Sequence, residues 1–192
     1  MDNRSFYIVG IGASAGGQQA LQEFFEHMPE APNAAFIVVT HLRKDYRTKL
    51  HTILERFSRL PVILASHQEP ILNNHVYVMP ENVTLVIDNN RLLLEPRDET
   101  NLNRAINRFF TSLAEDQGEK AIGVVLSGSG TDGAEGIETI HQFGGKTFIQ
   151  TPASSAFGSM PRAAINADDP VAIEPPCELA KALVAYLTAA QP

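Results

Sequence analysis

Cysteine is almost absent from this chain: among 192 residues there is one, Cys177. A lone cysteine excludes an internal disulfide. No Cys-x-x-Cys pair or paired-histidine spacing offers a zinc-site signature either, so no metal is expected. These absences fit a reducing, cytoplasmic setting. Positive charge is scarce too. Fifteen Lys and Arg stand against 22 Asp and Glu, a formal net charge of -7, which argues against duplex nucleic acid as the main partner because phosphate binding needs a basic face. No apolar run reaches the length that spans a bilayer, and the N-terminus lacks the basic-then-apolar pattern of a secretory signal. Internal repeats and low-complexity linkers are missing as well. With 44% hydrophobic and 19% charged residues, the composition is that of a folded globular chain. At this length one core is comfortable and two are not, so a single domain over 1–192 is expected.

What is present is alternation. Strand-like apolar runs exchange with helical patterns, the signature of βαβ units and a mostly parallel sheet. A strand at 6–11 is followed by a helix at about 17–27, with Leu21, Phe24, Phe25 and Met28 at core-facing spacing. A second strand is expected at 35–40, a helix at about 46–57 and a short strand at 61–65. The middle changes character: 76–79, 84–87 and 91–94 read as short strands. The last two are joined by Asp88-Asn89-Asn90, residues that tolerate left-handed backbone, so an antiparallel excursion at the sheet edge is expected. Then follow a helix at about 103–117, a strand at 121–126, a helix at about 132–143 and a strand at 147–150. A short helix opening at Pro161, a strand at 171–173 and a final helix at 176–188 complete the chain. The expected fold is α/β and doubly wound: a mainly parallel sheet, helices on both faces, an antiparallel edge hairpin, three Rossmann-like layers.

The densest local signal lies at Phe6-Tyr7-Ile8-Val9-Gly10-Ile11-Gly12-Ala13-Ser14-Ala15-Gly16-Gly17, a buried strand that breaks into a helix through a glycine-rich turn with a serine at its apex. Gly12-x-Ser14-x-Gly16 fits a nucleophile elbow. The overlapping Gly10-x-Gly12 fits a dinucleotide-binding turn, and Ser14 also fits a simple helix N-cap. The dinucleotide reading loses ground on two counts. Its ribose-binding carboxylate belongs at the end of the second strand, where Thr40-His41-Leu42 stands, and a P-loop lysine is replaced by Gln18-Gln19. No cofactor is therefore expected.

In a doubly wound sheet, functional residues gather on loops leaving the carboxyl ends of the strands. Three such loops supply Ser14, His41 and the Asp132 of Ser127-Gly128-Ser129-Gly130-Thr131-Asp132-Gly133. A serine needs an imidazole to take its proton, and the imidazole needs a carboxylate to fix its tautomer. Of the other histidines, His27, His51 and His141 fall on expected helices, and His67 and His75 lie around the antiparallel strands. Only His41 ends a buried parallel strand. Asp132 alone fits a helix N-cap equally well.

These residues carry a resemblance. Ile11-Gly12-Ala13-Ser14-Ala15-Gly16-Gly17, Thr40-His41-Leu42, His75-Val76-Tyr77-Val78-Met79-Pro80, the stretch from Gly123 to Gly136 and Gly158-Ser159-Met160-Pro161-Arg162-Ala163-Ala164-Ile165 occur together and in order. In them the chain resembles the catalytic domain of the chemotaxis protein-glutamate methylesterases, enzymes that also deamidate receptor glutamines. The resemblance implies a nucleophile at Ser14, a general base at His41, an orienting aspartate at Asp132, and an oxyanion held by the backbone N–H groups of Ala15 and Ser129. It implies glutamate γ-methyl esters on methylated cytoplasmic helices of chemoreceptor-like proteins as substrate.

Ser112-Leu113-Ala114-Glu115-Asp116-Gln117-Gly118 and the 127–133 loop are closest in wording to the branch fused to methyltransferase and sensor modules. A methyltransferase or sensor module of a larger parent is thus an implied partner. The chain begins almost directly at its first strand, so no receiver domain is expected. Two departures stand out: Ser129 where the family often has methionine, and Asn103-Arg104-Ala105-Ile106-Asn107 where it usually has His-Arg-Pro followed shortly by Asp. The alternative function is a non-catalytic signalling module that keeps the fold.

Overall fold

Residues Tyr7–Ala13 (β1) and Ala34–Thr40 (β2) are buried along nearly their whole length, as strands covered on both faces must be. The computed structural model describes residues 6–41, 49–97 and 104–190. After β1 come the helix Gly17–Glu26 (α1), β2, the short helix Leu50–Leu54 (α2) and the strands Val62–Leu64 (β3), Glu69–Pro70 (β4), Val76–Val78 (β5), Val83–Asp88 (β6) and Arg91–Pro96 (β7). The second half runs Ala105–Gln117 (α3), Ala121–Val125 (β8), Ala134–Gln142 (α4), Lys146–Gln150 (β9), Ser159–Ala167 (α5), Ala172–Glu174 (β10) and Pro176–Ala189 (α6). Single 3-10 turns at Gly118–Lys120 and Pro152–Ser154 link some of them.

One seven-stranded sheet has the order β10-β9-β8-β1-β2-β5-β3, and every pairing in it is parallel. The chain builds outward from β1 to one side, then returns through α3 to β8 on the other. That reversal at β1 brings the loops after β1, β2 and β8 together at the carboxyl edge, where such sheets place their sites. Side chains alternate with the strand period of two. On β2, Ala34, Phe36 and Val38 enter one core with Leu21, Phe24 and Phe25 of α1 and Leu179 and Leu183 of α6. Ala35, Ile37 and Val39 enter the other, with Ile106, Phe109 and Phe110 of α3 and Ile137 and Ile140 of α4.

The antiparallel hairpin forms as a separate element. β6 and β7 pair across Asn89 and Asn90, whose φ values of 50° and 60° are the positive ones that a two-residue type I′ turn requires. β4 adds a third strand to make a small sheet of its own, order β4-β7-β6, with β6 against α3. Residues 76–79, expected with the antiparallel strands, instead supply β5, a parallel partner of β2 and β3. All three of its residues are buried. A run that short and apolar shows no alternation, so its sequence cannot distinguish the two pairings. The expected helix at 46–57 contributes α2. Residues 46–48 lie outside the described residues, and beyond Leu54 the bonds from Arg56 N–H to Ile53 O and Phe57 N–H to Leu54 O tighten the chain into a turn. Asn103 also lies outside them.

The Gly10-x-Gly12 pair has a packing role. A Cβ on Gly10 would lie 2.8 Å from a Phe109 ring carbon, and one on Gly12 would lie 2.5 Å from Ile106 Cγ2, so α3 rests directly on the β1 backbone. Gly12→Ala is expected to cost about 1–3 kcal/mol by overpacking. For a chain of this size that is a melting-temperature loss of roughly 2–12 °C, measurable by calorimetry.

On the opposite face, the Tyr186 ring packs edge-on against Tyr7 and Phe148, with centroids 5.9 Å away in each case. Burial, then the neighbouring Tyr7, pushes its phenol up to about 12. The unfolded chain ionises this tyrosine from about pH 10, so its contribution to stability is complete below that and fades as pH rises toward 12. Urea midpoints are expected to fall between pH 10 and 12, and Tyr186→Phe to make that fall shallower. Among the described residues, no helix is long and apolar enough to cross a membrane.

Candidate active site

Ser14 follows β1, and its loop is pinned at both ends. Its N–H donates to Ser127 O, and its carbonyl accepts the Gly17 N–H, each at 2.9 Å. The helix cap of α1 is Gly16, two residues further on, so the Ser14 hydroxyl is not spent on capping. His41 extends the β1–β2 pairing by one rung through its N–H to Ala13 O at 3.4 Å, which sets its ring beside Ser14. The Ser14 Oγ to His41 Nδ1 distance is 3.2 Å, and on the far side of the ring Nε2 lies 2.6 Å from Asp132 Oδ2. With the Nε2 proton donated to the carboxylate, Nδ1 keeps the lone pair that faces the Ser14 hydroxyl.

Asp132 does more than meet His41. Its Oδ2 also accepts the Ile106 N–H at 2.9 Å, and its Oδ1 accepts those of Asn107 at 2.9 Å and Gly133 at 3.0 Å. Ile106 and Asn107 belong to the first turn of α3, whose N–H groups have no helical partner and favour a negative charge. Asp132 thus caps α3 rather than α4, the helix it precedes in sequence. Asn107 returns the favour: its Oδ1 accepts the N–H groups of Gly133 at 2.8 Å and Gly136 at 3.0 Å, at the start of α4. The two helices cap each other, and the carboxylate is held at their junction.

The remaining histidines are engaged elsewhere. His27 donates to Glu23 O, His75 donates to Asn73 O, and His67 accepts the Leu94 N–H. His51 meets Thr52, and His141 pairs with Asp168. The sequence singled out Asn107 only within the 103–107 departure from the family pattern, with no role assigned, and did not point to Gln150, whose buried Oε1 accepts the Ser127 N–H at 2.8 Å. Each acts across more than 20 residues of chain. Ala15 N–H and Ser129 N–H have no acceptor among the described residues, and Ser14 and Gly128 are in contact: a Cβ on Gly128 would lie 3.1 Å from Ser14 Cβ. A cavity of about 610 Å³ lies between the β6 strand and α3, with Thr40, Asn107 and the arginines Arg97, Arg104 and Arg108 in its walls; Ser14, His41 and Asp132 do not line it.

A serine, an imidazole and a carboxylate in one hydrogen-bonded line can carry out acyl transfer. Comparison with known proteins agrees with the chemistry: the family profile described as CheB methylesterase matches residues 9–183. The chain belongs to the CheB methylesterase family. It is 35% identical over 184 residues to a protein-glutamate methylesterase/protein-glutamine glutaminase of Xanthomonas campestris pv. campestris, covering 93% of this chain and 51% of that protein. A relative of the same name from Carboxydothermus hydrogenoformans is 34% identical over 166 residues, covering 83% and 49%. The chain therefore spans about half the length of the curated relatives it matches. The crystal structure of the Thermotoga maritima CheB methylesterase catalytic domain superposes with a TM-score of 0.84 at 25% identity, covering 94% of this chain and 98% of that one. The doubly wound sheet with its small antiparallel companion is thus the fold of this family.

Proposed function

We propose that this chain is a serine esterase that hydrolyses glutamate γ-methyl esters on the cytoplasmic helices of chemoreceptor-like proteins, releasing methanol, and that it deamidates glutamine side chains at the same centre. The observation that carries this reading is the unbroken hydrogen-bond line from Ser14 through His41 to Asp132 in a member of the CheB methylesterase family. The names of the relatives, which pair methylesterase with glutaminase, support the choice of substrate.

In this mechanism Ser14 Oγ attacks the ester carbonyl carbon while His41 Nδ1 takes the hydroxyl proton. The resulting oxyanion is met by the N–H groups of Ala15 and Ser129. Collapse breaks the bond to the methoxy oxygen, which leaves as methanol with the proton from His41, and Ser14 is left acylated. Water then attacks the acyl-enzyme with His41 as base, freeing the glutamate carboxylate and Ser14. With a glutamine the leaving group is ammonia and the steps are otherwise the same. Asp132 holds the Nε2 proton in place throughout.

The test is methanol release from a receptor-derived peptide bearing a glutamate γ-methyl ester. Release by the purified chain well above the buffer rate is the expected result. Release no faster than buffer overturns the enzyme reading in favour of a binding module that keeps the fold.

A further inference from the structure

We infer that Ser127 is the positioning residue for both oxyanion donors, an inference that rests on the esterase reading above. Its carbonyl accepts the Ser14 N–H at 2.9 Å, and its hydroxyl donates to Ala15 O at 2.8 Å. These two bonds fix the peptide planes on either side of the one that joins Ser14 to Ala15. The carbonyl of that middle peptide is fixed in turn by the Gly17 N–H at 2.9 Å. Its other end is the Ala15 N–H, the first donor, which is left with one direction to point.

The second donor is secured from the same residue. The Ser127 N–H is anchored to Gln150 Oε1 at 2.8 Å, and Gln150 is itself held by its amide, which donates to Ser154 O at 3.2 Å. Next along the chain, Gly128 N–H donates to Phe157 O at 2.9 Å, while Phe157 N–H donates back to the Ser127 hydroxyl at 3.1 Å. This reciprocal pair fixes the backbone leading into Ser129. The hydroxyl thus ties three segments together: the nucleophile turn, the 127–133 loop and the 156–158 stretch. Ser127 is 1% exposed, so water cannot take over its bonds. Deleting Oγ leaves the Ala15 carbonyl and the Phe157 N–H without their partner, and relaxation to satisfy them moves the donors. An oxyanion site is effective only because its donors are fixed before charge develops.

The experiment compares Ser127→Ala and Ser127→Thr with the wild-type chain, well below the melting temperature. It measures kcat and KM for the methyl-esterified peptide and the rate at which a fluorophosphonate probe labels Ser14. Phosphonylation, in which Ser14 Oγ displaces fluoride from phosphorus, sets the phosphoryl oxygen against the same N–H donors without needing a receptor. For Ser127→Ala, kcat and the labelling rate are expected to fall together by about 10- to 100-fold, a misplaced donor costing less than a missing one, with KM and the shape of the pH profile unchanged. Ser127→Thr keeps the hydroxyl and is expected to recover most of both rates. The inference is overturned if Ser127→Ala melts earlier yet keeps wild-type kcat and labelling, or if threonine fails to restore them. If the wild-type chain is labelled at Ser14 but releases no methanol, the methyl-ester reading fails while the labelling rates still decide the role of Ser127.

Discussion

Ser14→Ala is expected to lower methanol release by roughly 10^4- to 10^6-fold while leaving the folded chain almost unchanged. In the proposed mechanism the hydroxyl oxygen is the atom that bonds to the substrate carbon, and neither His41 nor a water can take its place at the same angle. What survives is the stabilisation supplied by the oxyanion donors and by substrate binding, so KM is expected to stay near its wild-type value. The cost to stability is no more than about 1 kcal/mol, the net worth of one hydrogen bond, because among the described residues the Oγ of this partly exposed residue bonds only His41. Kinetics on the methyl-esterified peptide and a melting curve on the same preparation check both halves. A variant that retains a tenth of wild-type activity would remove Ser14 from the mechanism.

Asp132→Ala is expected to damage both activity and fold. The carboxylate accepts His41 Nε2–H and three backbone N–H groups, and truncation leaves His41 and the Ile106 and Asn107 N–H groups without that partner, while Gly133 N–H keeps Asn107 Oδ1. A loss of about 3–5 kcal/mol follows by comparison with broken buried charge pairs, a fall of roughly 6–20 °C in melting temperature at this size. The rate falls as well, by about 10^4-fold, since nothing then holds His41 in the tautomer that accepts from Ser14.

Asp132→Asn separates the two effects. Asparagine keeps one acceptor oxygen for the α3 N-terminus, so it is expected to recover part of the stability. Its amide nitrogen cannot accept the His41 proton, so it is expected to recover little of the rate. Equal recovery of both quantities would count against a tautomer-fixing role.

Much of this arrangement could be read from the chain because it is local. Glycines around Ser14, a histidine ending a buried strand and an aspartate in a second glycine-rich turn all announce themselves within a few residues. The doubly wound alternation does the same on a larger scale. What stayed hidden depends on partners far away. Asn107 stands out in the sequence only as part of a stretch that departs from the family pattern, and only the close seating of that helix on Gly10 and Gly12 brings its side chain to the start of α4. Ser127 and Gln150 become meaningful only once β8 and β9 are neighbours. The two residues of β4 are too few to carry any period. Helix α5 begins two residues ahead of Pro161 because the first turn of a helix needs no N–H from its third residue.

The mutual capping of α3 and α4 has a dynamic consequence. Most helix ends fray independently, each opening at its own small cost. Here the first turn of α3 cannot loosen without releasing Asp132, and that of α4 cannot loosen without releasing Asn107. The amide protons of Ile106, Asn107, Gly133 and Gly136 are therefore expected to exchange with solvent as one cooperative unit, with a common opening free energy. That free energy belongs to a single opening event, the same one that would uncouple the carboxylate from His41.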